Sequence, residues 1–244
     1  MRITGLDFET SGLSPADDRI IEVSGVLWDW ETSSPISLLS DYVNPGILIS
    51  EEITKITGIT NEQIEEFARP EEYVFADLIR LISKSQYVMA HFGNDFDRKF
   101  YDAALVRIGA VDDDAPPEVH WLDSAIDIKY RDNIKTRNLK HLAAEHNFLS
   151  GFSHRAVFDV LTMLRVASNY DLAAIVARSN EPTLCVEAIV SFQEKDKAKE
   201  RGYRWFAGSQ TARKCWWKQF KISDYEIEKE TCGFDTFILP GAPE

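Results

Sequence analysis

The sequence predicts an α/β protein with a mixed sheet, followed by a small α+β domain. Three observations carry this. Alternating, β-branched stretches crowd the first fifty residues with only short turns between them. Beyond them the apolar period lengthens to that of a helix, and helices then alternate with short apolar strands. At 177–183 the polar run ARSNEPT interrupts this order, and a fresh pattern of strand, charged helix and two aromatic-rich strands follows. The expected organisation is one domain over 1–176, a linker over 177–183 and a second domain over 184–244.

Each element has a local reason. The first strand reads from Arg2 to Glu9, the second from about Arg19 to Trp28, and SLLSDYVNPG suits a third that stops at the Asn44-Pro45-Gly46 turn. Turns this short favour an antiparallel meander. SEEITKIT places Ser50 ahead of Glu51 and Glu52, where a helix N-terminus favours acids. TNEQIEEF reads as a short helix capped by Thr60 or Asn61. PEEYVFADLIRLIS puts Pro70 at a first helical position, with a stripe through Val74, Leu78, Leu81 and Ile82. QYVMAH is a short strand, and DFDRKFYDAALVRIG a helix with Gly109 just past its end. DDDAPP is a loop, and VHWLDSAIDI a strand or a strand–helix junction. NLKHLAAEHNF and HRAVFDVLTMLRVAS are helices.

Composition narrows the function classes. Twenty-seven basic residues against 40 acidic ones give a net charge of −13. A chain this acidic does not bind nucleic acid through its whole surface, only through a local basic patch or through metal ions. Three cysteines, Cys185, Cys215 and Cys232, with no CxxC pair, argue against a disulfide framework and against zinc. No stretch approaches the roughly 20 apolar residues of a membrane helix. The N-terminus has no signal-peptide pattern. A soluble, reducing, cytoplasmic setting is the expectation.

The first strand raises a question about charge. Residues i and i+2 share one face of a strand, so Asp7 and Glu9 project together while Leu6 and Phe8 take the other side. Two adjacent carboxylates lie either on a solvated edge or around a cation. Asp97, in HFGNDFD, falls in the first turn of a helix, where ordinary N-terminal capping would also explain it. His154 and Asp159, in HRAVFD, are about 140° apart on an ideal helix. They converge if His154 lies in the loop before that helix; otherwise they read as a surface His and a surface Asp.

Taken in chain order, these pieces resemble the DEDDh, or DnaQ-like, 3′–5′ exonuclease family. LDFETSGLSPADDRIIEVSGV is similar to that family's first motif. VNPGILISEEITKITGITNEQI is similar to the segment after its third strand, and NLKHLAAEHNF…SHRAVFDVLTM to its last motif. The resemblance covers Arg2 to Ala167. It implies a ribonuclease-H-like fold with a mixed five-stranded sheet. It implies two Mg²⁺ or Mn²⁺ ions on Asp7, Glu9, Asp97 and Asp159, with His154 as general base. There is one departure: Phe92 stands where the family usually has Asn, and the segment before the Phe-Asp pair is one residue longer. That bears on contacts to the terminal nucleotide.

The chemistry suits these residue types. Phosphodiester hydrolysis needs an activated water and a stabilised leaving alkoxide, and two metals can serve both ends of an in-line displacement. Hard oxygen ligands match Mg²⁺ and Mn²⁺, and an imidazole with a reference pKa of about 6.5 suits a base near neutral pH. The expected reaction releases nucleoside 5′-monophosphates from the 3′ end of single-stranded DNA. RNA trimming or a nucleic-acid-binding adaptor are the alternatives. Thr10, Gly12 and Leu13 would meet the terminal nucleotide. Phe92 reads equally as packing or base stacking. Phe96 reads as core, with a possible place at the substrate.

The second domain concentrates Lys and Arg between aromatics from residue 195 to 221. Cations for phosphates and rings for bases suit a single strand. Lys197, Arg201, Arg204, Lys214, Trp217 and Lys218 are the candidate contacts. Against this, Trp205 and Trp216 would serve equally as the core of so small a domain. Trp216 and Trp217 must face opposite ways, which leaves one exposed.

Overall fold

The computed structural model describes residues 1–243 other than 111–114, 117, 132, 135, 150, 152–154 and 210–212. Two compact units divide at Ser179 and Asn180.

The first unit is built on a mixed five-stranded sheet. Strands β1 (Arg2–Thr10), β2 (Ile20–Asp29) and β3 (Ser34–Tyr42) form the expected antiparallel meander. Strands β4 (Tyr87–Ala90) and β5 (His120–Asp123) add in parallel, giving the order β3-β2-β1-β4-β5. β3 begins three residues earlier than its apolar stretch suggests and stops at Tyr42; beyond it Val43 makes only a single bridge to Arg69.

Local chemistry sets the helix ends. Ser50 caps α1 (Glu51–Thr57), and Gly58 closes it in the left-handed region at φ 74°. Thr60, not Asn61, caps α2 (Asn61–Phe67), exchanging bonds with Gln63 in a full capping box. Pro70 is the N-cap of α3 (Glu71–Ile82) and not its first helical residue, because its ψ of 141° is extended. Helix α4 (Asp97–Arg107) ends as expected, with Gly109 at φ 73° beyond it. Helices α5 (Leu139–Glu145), α6 (Ala156–Ala167) and α7 (Leu172–Ser179) follow. Most of the expected loop over 112–117 lies outside the described residues.

Helix α7 corrects the expected linker. Ala177, Arg178 and Ser179 are its last turn. Leu172 and Ile175 are buried, whereas the last three residues hold the turn by polar bonds: Arg178 Nε donates to the Ile126 carbonyl at 3.1 Å. A polar helix end of that kind is hard to tell from a linker by composition.

Two cores sandwich the sheet. On one side Val74, Phe75 and Leu78 of α3, with Phe100 and Tyr101 of α4, meet Leu6, Phe8 and Val88. On the other, Val160, Met163 and Leu164 of α6 meet Ile3, Val26 and Met89. β1 therefore alternates: Leu6 and Phe8 face α3 and α4, and Ile3, Gly5, Asp7 and Glu9 face α6.

The second unit is a four-stranded antiparallel sheet in the order β7-β8-β6-β9. Its strands are β6 (Thr183–Ile189), β7 (Arg204–Phe206), β8 (Cys215–Lys221) and β9 (Asp235–Leu239). Helices α8 (Lys195–Glu200) and α9 (Ile222–Thr231) accompany it; α9 and β9 extend the pattern read from sequence. The core is Val186, Ala188, Ala198, Tyr203, Phe220 and Tyr225.

Candidate active site

Asp7 and Glu9 reach the α6 side of the sheet near the end of β1. A Cβ on Gly5 would lie 2.7 Å from both Val160 and Leu164, so α6 can pack closely onto β1 only because residue 5 has no side chain. That approach brings Asp159, in the first turn of α6, to the strand. Carboxylate oxygens of Asp7, Glu9 and Asp159 all lie within 4.8 Å of one another, the one such cluster among the described residues.

Asp97 closes the site from the other core. It is buried at the first position of α4, and its Oδ1 accepts the Phe8 N–H at 3.1 Å. Its carboxylate thus ties α4 to β1, between the two strand acids.

Electrostatics mark this as a site short of positive charge. Burial, then the nearby Asp97, Glu9 and Asp159, hold Asp7 well above its ordinary pKa. Burial, then Glu22 and Asp159, raise Glu9 to about 7, with Arg155 pulling the other way. Burial raises Asp97 to about 7 despite the N–H bonds it accepts from Phe8 and from itself. Each carboxylate keeps its proton more tightly because it is buried and, after that, because its neighbours are carboxylates. An all-oxygen, multiply acidic donor set of this kind fits hard divalent cations.

The turn after β1 is cross-linked by its own hydrogen bonds. Thr10 is buried and donates its hydroxyl to the Gly12 carbonyl at 2.6 Å. Asp18 accepts the Ser14 N–H at 2.8 Å, and a Cβ on Gly12 would overlap that carboxylate. Leu13 stands out from this turn, 84% exposed. Phe92 is half-exposed at φ 60°, an uncommon conformation for a residue with a side chain. Phe96 is partly buried and packs against Phe100, with ring centres 4.9 Å apart, at the border of the α3–α4 core. His154 lies outside the described residues; α6 begins at Ala156 with Arg155 as its N-cap.

Sequence reasoning missed three supports of this site. Asp123, wholly buried at the end of β5, accepts N–H bonds from Phe92 at 3.0 Å and Asn94 at 3.3 Å, which tie down the β4–α4 loop, and from Ala125 at 3.0 Å just beyond its own strand. Burial raises its pKa to about 6. His91 is pinned at both nitrogens: Nε2–H donates to the Arg137 carbonyl at 2.6 Å and Nδ1 accepts the Ser124 hydroxyl at 2.8 Å. Burial lowers its pKa, which favours the neutral ring and with it the Ser124 hydroxyl as donor to Nδ1. Glu22, buried on β2 directly across from Glu9, meets Arg155. Its signal was visible: one acid in the otherwise apolar IIEV.

The second unit holds several of the candidate nucleic-acid contacts in its own structure. Arg201 binds Glu228 through Nε and Nη2, both at 2.8 Å. Lys218 donates to the Arg201 carbonyl at 2.8 Å, with its ammonium 4.5 Å from the Phe220 ring centre. Lys197 pairs with Glu194 at 2.8 Å on the surface. Arg204 lies over the Trp217 ring at 5.4 Å, and Lys214 is exposed. The tryptophans differ from expectation. Trp216 and Trp217 are both half-buried, and Trp205 is the exposed one, at 52%, because the short strand β7 leaves it leaning on Trp216 from the sheet edge.

Known proteins resemble this chain. The model of the RNase T family, described as Exonuclease, matches residues 4–167. DNA polymerase III subunit epsilon of Treponema pallidum is 35% identical over 102 residues, 42% of this chain and 45% of that protein. The chain spans less than half the length of the first curated relatives it matches. Among solved structures, a zinc-bound E. coli ExoI–ssDNA complex has a TM-score of 0.64 at 14% identity, covering 96% of this chain and 68% of that one. The nuclease domain of 3′hExo, a DEDDh family member bound to rAMP, has a TM-score of 0.55 at 20% identity, covering 69% and 90%. At these identities the structures speak to the fold.

Proposed function

The chain belongs to the RNase T family of exonucleases, DEDDh in type, and on that footing we propose that it is a 3′–5′ exonuclease acting on single-stranded DNA ends and releasing nucleoside 5′-monophosphates. The observation that carries this reading is the convergence of Asp7, Glu9 and Asp159 within 4.8 Å, with Asp97 bound to the strand between the first two. The family depends on divalent metals; two Mg²⁺ or Mn²⁺ ions are the proposed complement here. When bound, they supply an activated water and charge stabilisation at the leaving oxygen.

The chain's own groups do the rest. The four carboxylates would hold the cations, and would be ionised in that state. His154 takes the proton from the attacking water. The Thr10–Leu13 turn receives the terminal nucleotide, with Leu13 against its base, and Phe92 offers a ring from the neighbouring loop. In the second unit Arg204, Lys214 and Trp217 are the proposed strand contacts. Lys197, paired only at the surface, stays in that set, whereas Arg201 and Lys218 are engaged within the unit.

RNA ends are the second reading, favoured by the fold shared with the rAMP-bound 3′hExo domain. The test is metal-dependent shortening of labelled DNA and RNA oligonucleotides, with Asp7→Ala as the control. Shortening of DNA from the 3′ end, lost in the control, supports the proposal. Preference for RNA moves the substrate to the second reading. No metal-dependent loss of nucleotides on either overturns the enzyme reading.

A further inference from the structure

Helix α6 must start in one place for Asp159 to meet Asp7 and Glu9, yet its N-cap residue supplies no side-chain cap. Its N-cap residue is Arg155, extended at φ −130° and ψ 108°, with no side-chain bond to the helix amides. An arginine cannot accept those N–H groups. The acceptor comes instead from 134 residues away: Glu22 Oε2 receives the Ala156 N–H at 3.4 Å. Its other oxygen, Oε1, receives Arg155 Nη2 at 3.3 Å. A carboxylate at a helix N-terminus is favoured by the helix dipole, and here it is supplied across the sheet.

The strand register fixes Glu22 for this task. It pairs with Glu9 on one side and with Tyr42 on the other. Only 1% of it is exposed. The Arg155 guanidinium spans the same strands, lying 5.4 Å from the centre of the Tyr42 ring. Arg155 thus has three holds: a carboxylate, an aromatic face and its place in the chain. Arg155 also starts the turn that carries Asp159, whose N–H bonds to the Arg155 carbonyl at 3.3 Å.

Glu22 stands next to a cluster already crowded with like charge. Burying it there unpaired would be costly, and breaking such a pair is worse than never having built it. Arg155 neutralises it without entering the cluster.

We propose that Glu22 is a positioning residue which caps α6 from the neighbouring strand, and that Arg155 holds it as counter-ion so that Asp159 is set for the metal site while a fifth carboxylate is kept out of it. This rests on reading Asp7, Glu9 and Asp159 as metal ligands.

The experiment uses the full chain with Glu22→Ala, Glu22→Gln, Arg155→Met and the double variant Glu22→Gln/Arg155→Met. Each is measured for Mn²⁺ affinity by calorimetry, for the Mn²⁺-induced rise in melting temperature, and for kcat and KM on a 3′-labelled DNA oligonucleotide. Glu22→Ala should lower Mn²⁺ affinity and kcat by about 10- to 100-fold, the range seen when a group supporting a metal ligand is lost, with KM nearly unchanged. Glu22→Gln keeps the acceptor for Ala156 and should recover most of the lost kcat. Arg155→Met leaves Glu22 uncompensated, so its metal-free melting point should fall. Its gain from Mn²⁺ should exceed that of the wild type, and the double variant should erase that excess.

Three results would overturn the inference while wild-type Mn²⁺ binding stands. Glu22→Gln losing Mn²⁺ as completely as Glu22→Ala would make Glu22 a ligand. Wild-type values in Glu22→Ala would make it idle. Equal Mn²⁺ gains in Arg155→Met and wild type would remove the counter-ion role. Should Glu22→Ala fail to fold, the Gln and double variants still decide. Absence of Mn²⁺ binding in the wild type is the distinct result that sinks the underlying metal-site reading.

Discussion

The two units bury carboxylates in opposite ways. In the second, Glu228 is clasped by both arms of Arg201, and Glu187, 3% exposed, is paired with Arg213. In the first, Asp7, Glu9 and Asp97 are buried or half-buried against one another, and their pKa values rise. One arrangement is complete within the chain; the other, on the function proposed above, is completed by a cation from outside. Glu22 lies between the two, an acid beside the open cluster closed off by its own arginine. A buried acid with a protein partner therefore reads as architecture, and a buried acid facing other acids reads as a site.

The strongest way to break this contrast is to remove an acid from each kind. Asp7→Asn should cut the rate of 3′-end shortening by about 10³-fold or more, the scale of losing a group that stabilises transition-state charge. Its metal-free melting temperature should hold or rise, since a repulsion is removed; a marked fall would place Asp7 among the architectural acids. Arg201→Met should do the reverse. Stranding Glu228 should destabilise the second unit by about 1–3 kcal/mol, below the full cost of breaking a buried pair because Arg201 is partly exposed. The rate on short oligonucleotides should stay within about twofold. Melting curves and initial rates on the same samples check both.

The pH dependence sharpens the same point. Glu9 and Asp97 titrate near 7 in the metal-free fold and near 4 when unfolded. The folded state binds the extra protons, so each group's contribution to stability falls as pH rises from about 4 to 7. Metal-free wild type should lose several degrees of melting temperature across that window relative to Glu9→Gln, and saturating Mn²⁺ should erase the difference. Parallel curves for the two proteins would mean that the cluster carries no such strain.

Much of this was legible in the sequence, and what was not has physical causes. The two-residue period of β1 separates Asp7 and Glu9 from Leu6 and Phe8 without any structure. The first turn of α4 is visible around Asp97. By contrast, Glu22 and Arg155 lie 133 residues apart, and only the register of β2 against β1 joins them. The basic run of the second unit looked free because its partners, Glu187 and Glu228, lie outside it. The last turn of α7 read as a linker because it is held by polar bonds and not by burial. Distance along the chain, more than unusual chemistry, hid these features.

Phe92 offers the smallest expected effect. Its φ of 60° is held by the Asp123 bond to its N–H. Phe92→Gly should relieve about 1 kcal/mol of backbone strain while raising KM severalfold, if the ring serves the substrate. Lower stability with unchanged KM would return Phe92 to packing.

The central claim is that Asp7, Glu9, Asp97 and Asp159 form a place for divalent cations. Calorimetric titration of the metal-free protein with Mn²⁺ at pH 8, beside Asp7→Asn, tests it most directly. The account predicts saturable binding to the wild type that weakens by at least about tenfold in Asp7→Asn, the loss of a direct ligand exceeding that of a supporting group. Equal binding by the two proteins, or none by the wild type, would contradict it.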